Sequence, residues 1–371
     1  MGLFSWLKKG SAPAPSSEAS SAAPPAEAPS ESVEELAEAL ASGDGAARVD
    51  ASRALLDRWR AGDSAAAEAL VVRLGELLED EEPQVRIAAL NAVRLMRKPE
   101  NLERHASAVL ALLADRAAQV RTAAVWTAAR IPGPVAREQV RALLESDEEP
   151  MRFAAACALS DLRDPAALPQ LAAALREDYR RQEALSAVMS LGDPAALPAV
   201  AELFEDETLG EFDRTLAAAT LARLGDPRGA AHLAERVATD GDDRPIAAEW
   251  AGRLGVTEAV PALEELAANE RDPARGAALR ALGRLGATGA EERLVAVATS
   301  EDEAEDVRMD AAEGLAELGS ARATAALREI AAQPGELGGL AKELLVEIAD
   351  GRAAAEPVPP ATAPAGESDP R

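Results

Sequence analysis

Asp80-Glu81-Glu82-Pro83-Gln84-Val85-Arg86-Ile87-Ala88-Ala89-Leu90 runs from an acidic loop through a proline and an arginine into an apolar stretch. An arginine returns after a loop at Arg121, Arg152, Arg181, Arg214, Arg244, Arg275 and Arg308, at intervals of 35, 31, 29, 33, 30, 31 and 33 residues. An interval of that length is the period of a supersecondary unit, not of a helix. In all eight copies the residues four, seven and ten places after the arginine are apolar, from Leu90, Val93 and Met96 to Ala312, Leu315 and Leu318. Those offsets share one helical face, so each arginine opens a helix that buries it.

The punctuation has the same regularity. Asp164-Pro165, Asp193-Pro194 and Asp226-Pro227 set an N-cap acceptor before a proline suited to the first helical position. Gly192, Gly225, Gly255, Gly286 and Gly319 precede the next start, where a left-handed residue ends a helix. Apolar runs such as Leu168, Leu171 and Leu175 then form the other helix of the next pair. Hydrophobic residues make up 48% of the chain, yet it holds only four Phe, four Trp and one Tyr. A core of Ala, Leu and Val suits close-packed helices and not strands.

The acidic turns, the Asp-Val-Arg and Leu-Gly-Asp-Pro junctions and the repeat length resemble HEAT repeats, specifically the short bacterial kind related to bilin (PBS) lyases. The resemblance covers residues 33–351 and implies an all-α fold, a right-handed α-solenoid of about ten HEAT-like helical hairpins. Flanking hairpins near 33–60 and 320–350 diverge, as capping units with a polar outer side do. Residues 1–9 read as a short amphipathic segment, 10–32 as a disordered Ala/Pro/Ser linker and 352–371 as a disordered tail.

The chemistry of catalysis is sparse. Deoxyhypusine hydroxylase, a HEAT-like di-iron enzyme, carries repeated His-Glu pairs, whereas here His105 is followed by Ala106 and His232 by Leu233. No Gly-rich phosphate loop, His-Glu-x-x-His pair or Gly-x-Ser-x-Gly elbow is present. Cys157 is the only cysteine, which excludes internal disulfides and thiolate clusters and suits a small packing residue. Acidic clusters such as Asp80-Glu81-Glu82, Asp147-Glu148-Glu149 and Glu301-Asp302-Glu303 lack a full calcium loop and read as helix-start and solubility devices. No cofactor or metal is expected.

The formal charge of −26 repels nucleic-acid phosphates, which disfavours a DNA-glycosylase-like reading. The leading expectation is a non-catalytic scaffold or adaptor for proteins. A chaperone-like bilin-lyase or other protein-modification enzyme stands second. The recurring arginine reads as structural, its fork reaching carboxylates or helix-end carbonyls of the next repeat.

Helical geometry places the residues two, five and nine after each arginine opposite the buried face. That reading yields a stripe of Trp126, Arg130, Arg223, Arg253, Arg280 and Arg284, with Trp250 on its flank, suited to an acidic or extended peptide. A second contact is expected from Leu3, Phe4, Trp6 and Leu7 with Lys8 and Lys9, docking in a partner or dipping weakly into a membrane interface. The N-terminus lacks an apolar stretch of signal-peptide length. The expected location is cytoplasmic, including the inner face of a membrane.

Overall fold

The computed structural model describes residues 31–350. Among the described residues there are 21 α-helices, five short 3-10 turns and no strand. The 21 helices make ten hairpins, because one first helix is broken at His105 into Pro99–Arg104 and Ala106–Ala111. The chain separates into two compact units, an N-terminal one ending at Leu171 and a C-terminal one beginning at Ala172.

Each helix opened by a recurring arginine is the second of its hairpin. In the N-terminal unit the helices Gly45–Arg60, Pro83–Leu95, Ala118–Ala128 and Glu149–Asp161 pack in succession. In the C-terminal unit the succession is Arg181–Leu191, Glu211–Arg223, Arg244–Arg253, Arg275–Leu285, Glu305–Leu318 and Glu336–Ala349. The first helices, Ser64–Leu78 and Pro227–Ala238 among them, pack alongside.

The expected buried offsets hold at four and seven residues after each arginine, where every side chain is buried. The tenth position differs. Met96, Ile131, Leu191 and Leu224 are buried there, but Leu162, Leu254, Leu285 and Leu318 are half-buried. The Asp-Pro junctions cap as expected, with Asp164, Asp193 and Asp226 each accepting from the backbone N–H two residues on. All five junction glycines have positive φ.

Second helices in the C-terminal unit approach each other through small residues. A Cβ added to Gly283 would lie 2.2 Å from the Gly314 carbonyl oxygen, and one added to Gly252 2.7 Å from Ala281 Cα. Backbones in such contact leave little room for a polar face between them. Each second helix there packs on its own partner and on neighbouring second helices.

Candidate partner-binding surface

The recurring arginines form a ladder within each unit. Each turns back to carbonyls at the end of the preceding helix: Arg86 to Asp80 O at 2.6 Å, Arg121 to Asp115 O at 2.8 Å, Arg152 to Ser146 O at 2.7 Å, Arg214 to Phe204 O at 2.6 Å. Most also reach forward to a side chain of the next hairpin. Arg86 bonds Asp115 at 2.8 Å, Arg181 Asp213 at 3.1 Å, Arg244 Asp272 at 2.9 Å and Arg275 both Glu303 oxygens at 2.6 Å. Arg121 pairs with Glu148, and Arg308 takes the Gln333 amide oxygen at 3.3 Å. Arg48 is a further rung, on Asp80 at 2.7 and 3.0 Å. Arg214 has no such forward bond, because Thr215 and Arg236 hold Asp243 in that place.

These rungs are structural. Burial alone would push the Asp80 and Asp115 carboxyls up, but arginine and backbone hydrogen bonds outweigh it and hold both below the usual aspartate range. A cleft of about 470 Å³ lined by Asp80, Arg86, Leu112 and Asp115 is walled by paired rungs.

The predicted stripe separates into two kinds of site. In the C-terminal unit it is internally neutralised. Trp250 is 1% exposed, so it lies in the core and not on an open flank, with the Arg253 guanidinium 5.6 Å from its ring centroid. Arg223 is also buried, beside Gly192 at the end of the preceding second helix. Both side chains are packed inside the unit, which corrects the expectation that they face a partner.

Arg253, Arg280 and Arg284 converge on Glu249, which is 2% exposed. Arg253 donates to it at 2.8 Å, Arg280 at 3.3 Å, and Arg284 pairs with it as well. Arg280 also pairs with Asp310, and Arg284 donates to Glu317 at 2.8 Å. Desolvation pushes the Glu249 carboxyl up, yet Arg284, Arg280 and Arg253 together hold it at about 2. Glu313 has the opposite fate: desolvation and the neighbouring Glu249 and Glu317 raise it more than Arg280 and Arg284 lower it. Three of the stripe's arginines thus serve one buried carboxylate.

In the N-terminal unit the same face is open. Trp126 is half-buried and Arg130, one turn on, is exposed with only a long 3.5 Å contact to the Met96 carbonyl. Two residues that the offsets missed join them, Arg94 and Arg60, near the ends of the two preceding second helices. Desolvation, then the guanidiniums of Arg130 and Arg60, push Arg94 below the ordinary arginine range, with Asp161 the one opposing charge. The Arg94 guanidinium makes no hydrogen bond or ion pair with a described residue, and Arg60 has only an exposed pair with Asp57 at 2.9 Å. The residues Leu3, Phe4, Trp6, Leu7, Lys8 and Lys9 lie outside the described ones.

Residues 106–189 and 260–337 match the family model for HEAT repeats. Both stretches are HEAT repeats. No curated protein matches the chain in sequence. Among solved structures, this HEAT-repeat chain is similar to the CpcE–CpcF complex of phycocyanin lyase from Nostoc sp. PCC7120, at 18% identity over 89% of this chain and 100% of that one, with a TM-score of 0.34. It is also similar to human deoxyhypusine hydroxylase in complex with glycerol, at 20% identity over 68% and 96%, with a TM-score of 0.28. Similarity to the Kap95:Nup1 complex is 14% over 87% of this chain and 50% of that one, with a TM-score of 0.47.

Among the described residues of this HEAT-repeat protein no group of three or more His, Cys, Asp or Glu is placed to hold a metal ion. His232 stacks edge-to-face on Phe204 with ring centroids 5.2 Å apart, and burial pushes its pKa down. Cys157 is buried in the helix Glu149–Asp161. No described helix is long and apolar enough to cross a membrane.

Proposed function

We propose that this HEAT-repeat chain is a non-catalytic scaffold that binds other proteins through the second-helix face of its N-terminal unit. The observation that carries this reading is the half-buried Trp126 one turn before the exposed Arg130, whose guanidinium makes only a 3.5 Å contact to the Met96 carbonyl. An indole flanked by cations offers apolar area and directional donors together, the combination that concentrates binding energy at protein interfaces. The N-terminal segment containing Leu3, Phe4, Trp6 and Leu7 is a second proposed contact, to protein or to a membrane surface.

Affinity capture with three baits tests the reading: the full chain, the Trp126→Ala variant and a deletion of residues 2–9. A partner held by the full chain and lost from Trp126→Ala, with melting temperature checked to show an intact fold, supports the scaffold. Identical partners on the full chain and Trp126→Ala remove this surface from consideration. Partners lost only from the deletion move the contact to the N-terminal segment. A tightly held bilin or other prosthetic group in the purified chain favours the modification-enzyme class instead.

A further inference from the structure

Two clefts hold the same place in the repeat, one in each unit. The first, of about 470 Å³, lies between the second and third hairpins on a floor of Leu78, Ala108 and Leu112. The second, of about 340 Å³, has Leu175, Ala199 and Leu203 in the matching positions. There the mouth is bridged, since Arg176 donates to both Glu202 oxygens at 2.9 and 3.1 Å. The residues in those two places at the first cleft are Glu79 and Ala111, which cannot form that bridge. Glu79 and Glu81 are exposed at its lip, and neither carboxylate makes an ion pair with a described residue. Arg116, also at the lip, donates to the Glu81 backbone carbonyl at 3.1 Å and not to its side chain. The first cleft thus presents an open apolar floor with free carboxylates beside it.

We infer that in the free chain its own N-terminal segment docks in this first cleft, with Phe4 and Trp6 on the apolar floor and Lys8 and Lys9 against Glu79 and Glu81. The chemistry matches in order: Leu3, Phe4, Trp6 and Leu7 are followed at once by two cations. A cleft of this size accepts more than one large side chain. Reach is ample. Residues 10–30 span up to about 70 Å when extended, and packed helices lie about 10 Å apart, so a cleft beside the second hairpin is within range of a segment tethered at residue 31. Tethering also holds the segment at a local concentration near millimolar, so a modest contact suffices. Docking of this kind hides the apolar residues until a partner or a surface competes for them. It is independent of the Trp126 surface, and either can fail alone.

The test is a fluorescence-anisotropy titration with a labelled peptide of residues 1–10, added to the full chain and to its Phe4→Ser/Trp6→Ser variant. We expect saturable binding to the variant and binding at least about tenfold weaker to the parent, whose own tethered segment competes. In the variant background, Glu79→Lys with Glu81→Lys should weaken the peptide about tenfold and remove its salt dependence. Glu79→Arg with Ala111→Glu rebuilds the Arg176–Glu202 bridge across the mouth and should abolish binding. Glu138→Lys with Glu145→Lys, two exposed carboxylates elsewhere in the same unit, should leave it unaltered. All these positions except Glu79 and Ala111 lie away from packed contacts, and melting temperatures matched to the parent confirm an intact fold throughout.

Four results overturn the inference: no peptide binding to Phe4→Ser/Trp6→Ser, equal binding by parent and variant, equal loss with Glu138→Lys/Glu145→Lys, or a parent dimer in sedimentation that the variant does not form. The last would make the segment of a second copy the occupant. Any of the four with Trp126-dependent capture intact leaves the scaffold standing.

Discussion

Glu249 and Glu313 lie in one charge cluster and respond to acid in opposite directions. The Glu249 carboxyl is depressed from 4.5 to about 2, so its stabilisation is complete above 4.5 and lost as pH falls through about 2. Glu249→Gln should therefore cost on the order of 3 kcal/mol at neutral pH, and the deficit should vanish through that window in thermal melts. Glu313 is raised, so its contribution is fully present below 4.5 and lost as pH rises through its folded value. Glu313→Gln should raise the melting temperature at neutral pH and change nothing below 4.5. A lower neutral melting temperature for Glu313→Gln would mean that its 3.7 Å approach to Arg280 outweighs desolvation. Single-residue roles were the least legible part of the sequence. The ladder arginines announce themselves by repetition, but Arg48 stands 38 residues before Arg86, outside the common interval. Arg60 and Arg94 fall off the shared offsets, and Glu249 sits among alanines and a tryptophan with nothing to mark it as a hub.

At the scale of elements, the pattern of apolar offsets and capped ends located the second helices well, because periodicity and caps are local physics. It overestimated how much of each helix is open. Helical geometry gives the face opposite the core, yet helix-to-helix spacing is set by residues that pattern analysis counts as merely small, Gly252, Gly283 and Gly314. Trp250 lies on one of these closely approaching helices and is inside. Gly283→Ala should lower stability by about 2 kcal/mol or more, since its Cβ meets backbone that cannot move aside. Gly75→Ala, in the helix Ser64–Leu78 with open space around it, should raise stability by about 1 kcal/mol. Chemical denaturation of the two variants checks the pair, and equal effects would show that helix propensity and not close approach governs both.

The whole molecule carries its charge unevenly. Exposed carboxylates such as Glu81, Asp147 and Asp302 add to the net charge of −26, while the rungs are partly buried and less open to screening. Raising ionic strength from low to physiological should thus raise the melting temperature, and a fall would show that exposed ion pairs dominate. The fold class was legible at this scale because repetition states it many times over, whereas a binding surface is written once and has no second copy to confirm it. The ladder has a further consequence. The arginine–carboxylate rungs at Arg48, Arg86, Arg121, Arg181, Arg244 and Arg275 are directional: a hairpin offers an arginine forward and a carboxylate back. A duplicated hairpin arrives with both halves of the joint, and a deleted one removes both. Such a chain changes length by whole hairpins without stranding a charge, so its ancestry is open to growth by copying in a way that a core with unique, non-repeating partners is not.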